Sequence, residues 1–314
     1  MALAFVFPGQ GAQTIGMGRD LADAYPAAQA VFDEVDEALG EKLSALIWEG
    51  DQDELTLTRN AQPALMATSM AAVKALETEG ISVSDAAYVA GHSLGEYSAL
   101  AAAGTFSIAD TARLLRLRGE AMQAAVPVGE GAMAAILGLD IEAVQQLAAD
   151  ASEGGVCTAA NDNDPAQVVV SGHRAAVEHA TAIAKERGAK RAMLLPVSAP
   201  FHCELMQPAA EAMAEALAHV DKQAPSVPVV TNVTARPCDD SPTIVSLLVE
   251  QVTHSVRWRE SVDWMANDGG VTEFWEIGAG KALSGMIRRI ARAAETRQVG
   301  TAADVAAAAA TRAR

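Results

Sequence analysis

Gly91-His92-Ser93-Leu94-Gly95 fits the pattern G-x-S-x-G. A serine in that pattern sits on a sharp strand-to-helix turn, and the flanking glycines leave room for a crowded backbone. The helix that follows aims its N-terminus at the hydroxyl and favours developing negative charge there. The pattern alone is common. Here the apolar run AAYVA (86–90) precedes it and a helical stretch from about Glu96 to Ala103 follows, which is the setting a nucleophilic serine requires.

Such a serine needs a base. The chain has six histidines. His92 lies inside the turn and points away along the chain. His173, His179 and His219 fall in helical segments among Ala and charged residues, where a surface or packed role suffices. His202 lies in a loop stiffened by Pro200, and His254 in a second loop, so both remain candidates on position alone.

A third residue stands out by its periodicity. On the predicted helix 108–125, steps of three and four from Arg118 meet Thr111, Leu114, Leu115, Ala121, Met122 and Ala125. A guanidinium on an apolar face is costly unless an anion meets it, and its planar fork suits a carboxylate. An internal ion pair or a snorkelling stem would serve as well as a ligand. With the serine, the arrangement suggests acyl chemistry on a substrate that carries a free carboxylate.

The elements that must hold these residues read as α/β. LAFVF (3–7) is a buried strand ended by Pro8-Gly9, and MALAFVFPGQG lacks the basic start of a signal peptide. Helices are expected over 20–40, closed by Gly40, and over 61–80, closed by Gly80, with Ser107 capping 108–125. The middle differs. Strand 132–139, helix 141–151, strands 156–161 and 166–172, helix 173–188 and strand 191–197 follow the β-α-β-β-α-β order of a ferredoxin-like unit. A helix at 204–219, the strand PVVTN (228–232), an apolar segment 243–253, the strand EFWEIG (273–278) and a basic helix 281–293 complete the chain. The Ala-rich tail TAADVAAAAATRAR shows no apolar stripe and is expected to fray.

Composition narrows the function classes. The 314 residues carry a net charge of −17 and are 50% hydrophobic, which suits a sizeable core and not a disordered chain. A nucleic-acid binder needs a basic footprint, so no nucleic-acid partner is expected, nor an anionic membrane surface. No apolar run is long enough to span a bilayer. Cys157, Cys203 and Cys238 form no C-x-x-C pair, so neither a disulfide framework nor a metal site is expected, and the thiols suit a reducing cytoplasm.

Several ordered motifs resemble the malonyl-CoA:acyl carrier protein transacylase family, the acyltransferases of fatty-acid synthesis. They are FVFPGQGAQTIGMG (5–18), TRNAQPAL (58–65), GHSLGEYSALAAAG (91–104), RGEAMQ (118–123), AAN (159–161), VSAPFHCELM (197–206), LLVEQ (247–251), VRW (256–258) and EIGAGKALSGM (276–286). The resemblance spans the whole chain. It implies an α/β-hydrolase-like catalytic domain of residues 1–127 and 198–314 with a parallel sheet, a ferredoxin-like insert at 128–197, and a site between them. It implies Ser93 as nucleophile, His202 as base and Arg118 as the group that grips the malonyl carboxylate. It puts the N–H groups of Gln10 and Leu94 in the oxyanion hole, and the residue after a nucleophile is the general donor in such turns. A backbone carbonyl at Gln251 takes the place of a triad acid, and His92, Gln62, Asn161 and Met122 match pocket positions.

One position departs from the bacterial pattern. Phe201 precedes the base where well-known bacterial members have Ser, and a bulky ring there resembles domains that choose malonyl over methylmalonyl. One extra carbon in a pocket is worth about 1–3 kcal/mol. The implied reaction needs no cofactor. It is a ping-pong transfer from malonyl-CoA to the phosphopantetheine thiol of an acyl carrier protein. Carrier proteins are acidic, so docking would use a local basic patch, either Lys185, Arg187, Lys190 and Arg191 or Lys281, Arg288, Arg289 and Arg292. The alternatives are a serine esterase or thioesterase on the same turn, which would usually orient its base with an acid and has no need of Arg118, and a non-catalytic acyl-binding subunit.

Overall fold

Strand β1 (Ala2–Phe7) is buried along nearly its whole length, as expected of an inner strand of a parallel sheet covered on both faces. The computed structural model describes residues 2–197 and 199–312. Ser198, inside the VSAPFHCELM motif, and the last two residues of the tail lie outside the described residues. The further strands are β2 (Tyr88–Gly91), β3 (Gly131–Leu137), β4 (Cys157–Asp164), β5 (Gln167–His173), β6 (Arg191–Leu194), β7 (Val229–Val230), β8 (Pro237–Cys238), β9 (Val271–Ile277) and β10 (Glu295–Val299). They form two sheets, one six-stranded in the order β10-β9-β1-β2-β7-β8 and one four-stranded in the order β4-β5-β3-β6. Pairing is parallel throughout the larger sheet except at β7–β8. The smaller sheet is antiparallel. The molecule is thus mixed α/β, and among the described residues no helix is long and apolar enough to cross a membrane.

Period-two alternation gives the small sheet two roles. One face, with Ala134, Ile136, Val168 and Val170, packs on the helices Ile141–Ala151 and Arg174–Ala184 through Val144, Leu147, Val177 and Ala180. The other face, with Met133, Ala135 and Val169, joins the core of the larger sheet. The two units are also tied by polar contacts. Val256 exchanges backbone hydrogen bonds with Ala160 and Asp162 at 2.9 and 3.0 Å. Arg259 grips Asp162 and Arg289 grips Asp164, and both carboxylates are almost fully buried.

Glycines set two close approaches that shape the site. A Cβ on Gly91 would lie 1.9 Å from the carbonyl oxygen of Gly95, and one on Gly95 would lie 2.3 Å from that of Phe7. Only glycine at both ends lets the turn after β2 fold this tightly. The second approach is between the helices Thr58–Thr78 and Ile108–Ala124. A Cβ on Gly119 would lie 2.6 Å from Cα of Arg59, so the bare glycine brings Arg118 against the residues following Thr58.

The structure corrects several sequence expectations. Pro26 opens a second helix, so 20–40 is Arg19–Ala24 followed by Pro26–Leu39. The helix after Ser93 begins at Leu94. His173 ends β5 and its Nδ1 accepts from the N–H of Val156 at 2.9 Å, so it is not helical. The basic helix stops at Ile290. The tail is helical over Ala302–Arg312 and is packed against the body. Val305 and Ala308 are fully buried, Asp304 accepts the N–H groups of Gly300 and Thr301, and Arg312 pairs with Asp85 at 3.0 Å. Two apolar anchors and two polar ties suffice where no stripe was visible. The helices Leu43–Glu49, Gln52–Thr56 and Trp258–Asn267, with β8 and β10, were not foreseen.

Candidate active site

Ser93 stands between β2 and the helix Leu94–Ala102 at φ 54° and ψ −112°, backbone angles that cost a non-glycine residue about 1–3 kcal/mol. Asn232 supports the strained turn from the end of β7. Its Oδ1 accepts the Ser93 N–H at 2.8 Å, and its Nδ2 donates to the carbonyl of Gly91 at 2.7 Å. The N–H groups of Gly95 and Glu96 turn back on the carbonyls of His92 and Ser93.

The Ser93 hydroxyl lies 2.7 Å from Nε2 of His202, whose Nδ1 lies 2.9 Å from the carbonyl oxygen of Gln251. A carbonyl only accepts, so Nδ1 carries the proton and Nε2 is free to accept from the hydroxyl. Burial, and next the positive charge of Arg118, push His202 down to about 3. The imidazole is therefore neutral in ordinary buffers, the form a base requires. His202 itself holds φ 59°. The backbone of His254 lies beside His202, but its ring is exposed and bonds to its own turn at Glu250.

Arg118 is 1% exposed, yet makes no ion pair among the described residues. Its Nη1 donates to Oε1 of Gln62 at 2.8 Å. Its Nη2 donates to Oε1 of Gln251 at 2.9 Å and to Oγ of Ser93 at 3.2 Å. Its guanidinium lies 5.6 Å from the centre of the Tyr97 ring, and its Nε is buried with no hydrogen bond among the described residues. Burial lowers its pKa below the ordinary guanidinium range, against the pull of Tyr97 and Glu96.

Ser93, His202 and Arg118 open onto one cavity of about 490 Å³ between the two sheets. Gln10, Gln62, His92, Leu94, Met122, Asn161 and Phe201 line the same cavity. Gln251 does not line it but stands fully buried behind it. Its side chain is oriented without ambiguity, because Oε1 faces the donor Arg118 while Nε2 faces Ser93 O, Asn232 Oδ1 and Glu96 Oε2. His92 turns its Nε2 to Oδ1 of Asn163 at 2.8 Å, and burial lowers its pKa. A Cβ on Gly9 would lie 2.7 Å from the carbonyl oxygen of His92, so the loop carrying Gln10 sits tight against the Ser93 turn.

Sequence reading missed Asn232, Asn163 and Glu96. Asn232 is 139 positions from Ser93, and no spacing links them. Glu96 reads as an ordinary first-turn acid, yet it is 1% exposed and burial raises it to about 7. Among the described residues no cluster of His, Cys, Asp or Glu could hold a metal ion.

Comparison with known proteins follows the same lines. The acyl transferase domain family matches residues 4–306. The malonyl CoA-acyl carrier protein transacylase of Bacillus subtilis (strain 168) is 50% identical over 295 residues, covering 94% of this chain and 92% of that protein. The crystal structure of an acyl-carrier-protein-S-malonyltransferase from Bartonella henselae matches with a TM-score of 0.97 and 56% identity over 100% of both chains. A malonyl-transacylase in complex with its type II PKS acyl-carrier protein matches with a TM-score of 0.95 and 40% identity, over 99% of this chain and 100% of that one.

Proposed function

The chain belongs to the acyl transferase domain family, and from that premise we propose that it is a malonyl-CoA:acyl carrier protein S-malonyltransferase working through malonyl-Ser93. The observation that carries the substrate choice is Arg118, a buried guanidinium with no acid paired to it among the described residues, 3.2 Å from the Ser93 hydroxyl. A buried cation without an anion is expensive, and a substrate carboxylate supplies the missing partner.

His202 Nε2 takes the Ser93 proton as the oxygen attacks the thioester carbonyl. The N–H groups of Gln10 and Leu94 receive the oxyanion, at about 3–4 kcal/mol per donor in comparable sites. The turn's other N–H groups, those of Ser93, Gly95 and Glu96, are already engaged. The carbon–sulfur bond breaks, the proton on His202 passes to the departing CoA sulfur, and malonyl-Ser93 remains. The phosphopantetheine thiol of acyl carrier protein then attacks that ester and gives its proton to His202. The Ser93 oxygen leaves and recovers that proton. Arg118 holds the malonyl carboxylate throughout, Gln251 orients His202 through its carbonyl, and Gln62, His92, Met122 and Asn161 shape the acyl pocket. Phe201, 9% exposed on the cavity wall, narrows it against a methyl branch.

A hydrolase fits less well, because His202 is oriented by a backbone carbonyl and not by an acid. We read residues 1–127 and 198–314 as an α/β-hydrolase-like catalytic domain and 128–197 as a ferredoxin-like insert, on the β-α-β-β-α-β order with sheet order β4-β5-β3-β6. Three free thiols suit a reducing cytoplasm. Incubation with a panel of acyl-CoAs, followed by intact mass, tests the reading: a malonyl adduct lost in Ser93→Ala is expected. An adduct with acetyl-CoA but none with malonyl-CoA overturns it.

A further inference from the structure

We propose that the hydroxyl of Thr58 is a positioning group for the oxyanion loop, with its direction set from Arg118 through Gln62. The inference rests on the acyl-transfer reading above and adds a residue to it. Thr58 is the first residue of the helix Thr58–Thr78 and is fully buried. Its Oγ1 donates to Oε1 of Gln10 at 2.9 Å and accepts from Nε2 of Gln62 at 3.0 Å.

The direction of each bond follows from what each group can do. A guanidinium only donates. Gln62 must therefore present its oxygen to Arg118, 2.8 Å away, which turns its NH₂ to Thr58. The Thr58 oxygen is thus an acceptor on that side, and its single proton goes to Gln10. A hydroxyl free of such neighbours would rotate; this one has one orientation that satisfies every partner.

The consequence concerns spacing. A malonyl unit must place its carboxylate at Arg118 and its thioester oxygen at Gln10 in the same complex. These two residues come from different elements, the helix Ile108–Ala124 and the irregular loop after β1. Gly9 presses that loop against the Ser93 turn on one side. Thr58 holds the Gln10 side chain on the other. Arg118 keeps two amide partners, Gln62 and Gln251, so loss of the Thr58 hydroxyl leaves the carboxylate grip in place and frees the oxyanion donor.

The test is single-turnover formation of malonyl-Ser93 at saturating malonyl-CoA in Thr58→Val, Thr58→Ala and Thr58→Ser, with malonyl-CoA binding measured separately on a Ser93→Ala background. Thr58→Val and Thr58→Ala should slow acylation about 5- to 10-fold, the equivalent of one net hydrogen bond. Binding should stay within about twofold, and Thr58→Ser should recover the rate, since uniform binding and transition-state stabilisation separate this way. A wild-type rate in either hydroxyl-free variant, an equally slow Thr58→Ser, or a loss in binding in place of rate overturns the proposal. If one hydroxyl-free variant does not fold, the other carries the same expectation. Absence of a malonyl adduct in the unmodified protein would instead sink the acyl-transfer reading.

Discussion

Nη2 of Arg118 stands 3.2 Å from Oγ of Ser93, so the buried guanidinium and the proposed nucleophile are in direct contact. The same cation is the second cause, after burial, of the low pKa of His202. On the proposed roles, recognition of the acyl group and basicity of the imidazole are linked through one charge. A substrate carboxylate held there as proposed would offset that charge and raise the basicity of His202.

Replacing Arg118 by alanine should lower kcat/KM for malonyl loading by about 30-fold or more, since truncating one partner of a buried charge pair costs about 2–5 kcal/mol. The His202 pKa should rise in the same variant, because a nearby cation disfavours imidazolium. Intact-mass kinetics read the first effect and imidazole NMR against pH the second. Malonyl selectivity retained in Arg118→Ala would remove the assigned role.

Gly119→Ala tests how the helix pair positions that arginine. The added methyl would lie 2.6 Å from Cα of Arg59 and 2.7 Å from the carbonyl of Thr58, both backbone atoms that cannot swing aside. The helices must part, at about 1–3 kcal/mol for overpacking. Denaturant midpoints should show that loss, and malonyl loading should fall more than acetyl loading because Arg118 moves away from Ser93. Equal losses on both acyl groups would show that the spacing serves stability alone.

What was legible in the sequence follows from range. The Ser93 turn is a local steric pattern, and the helix 141–151 and the inward face of Arg118 are local periodicities, so all three could be read directly. Asn232 and Gln251 act across 139 and 158 positions, and no spacing encodes such contacts; Gln251 came only from resemblance. His202 and His254 could not be separated by position, because only the fold turns the His202 ring to Ser93 and the His254 ring to solvent. The tail misled because alanine carries no stripe, so its two buried contacts leave no pattern. Gly119 in mid-helix was a signal of close packing that went unused.

Carrier-protein docking is expected on the exposed face of the helix Ala282–Ile290, whose Ala282, Leu283 and Met286 line the cavity. Arg289 is not a free candidate, because it pairs with buried Asp164, and Arg187 pairs with Asp150. Lys281 and Arg288 are exposed and make no ion pair among the described residues. Lys281→Glu with Arg288→Glu should raise KM for carrier protein several-fold and spare acylation by malonyl-CoA. Arg289→Glu should instead lower Tm, since it sets a like charge beside a buried carboxylate. An unchanged KM in the double variant removes this helix as the docking face.

Glu96 gives a prediction about stability against pH. Burial raises its carboxyl from 4.5 to about 7, against the hydrogen bonds from Gln251 and Asn232 and the charge of Arg118. Between those values the folded protein keeps a proton that the unfolded chain has released. Stability from this group is therefore full below about 4.5, falls as pH rises, and is lost above about 7. His202 works in the opposite sense. Its pKa is lowered to about 3 from 6.5, so its stabilisation is present above 6.5 and lost as pH falls. The two slopes offset each other between about pH 4.5 and 6.5. Glu96→Gln removes one of them. The stability of Glu96→Gln relative to wild type should rise across pH 4.5–7 by on the order of 3 kcal/mol and then level off. Urea unfolding at half-unit pH steps measures it, and a difference that stays constant with pH would show that Glu96 is ionised throughout.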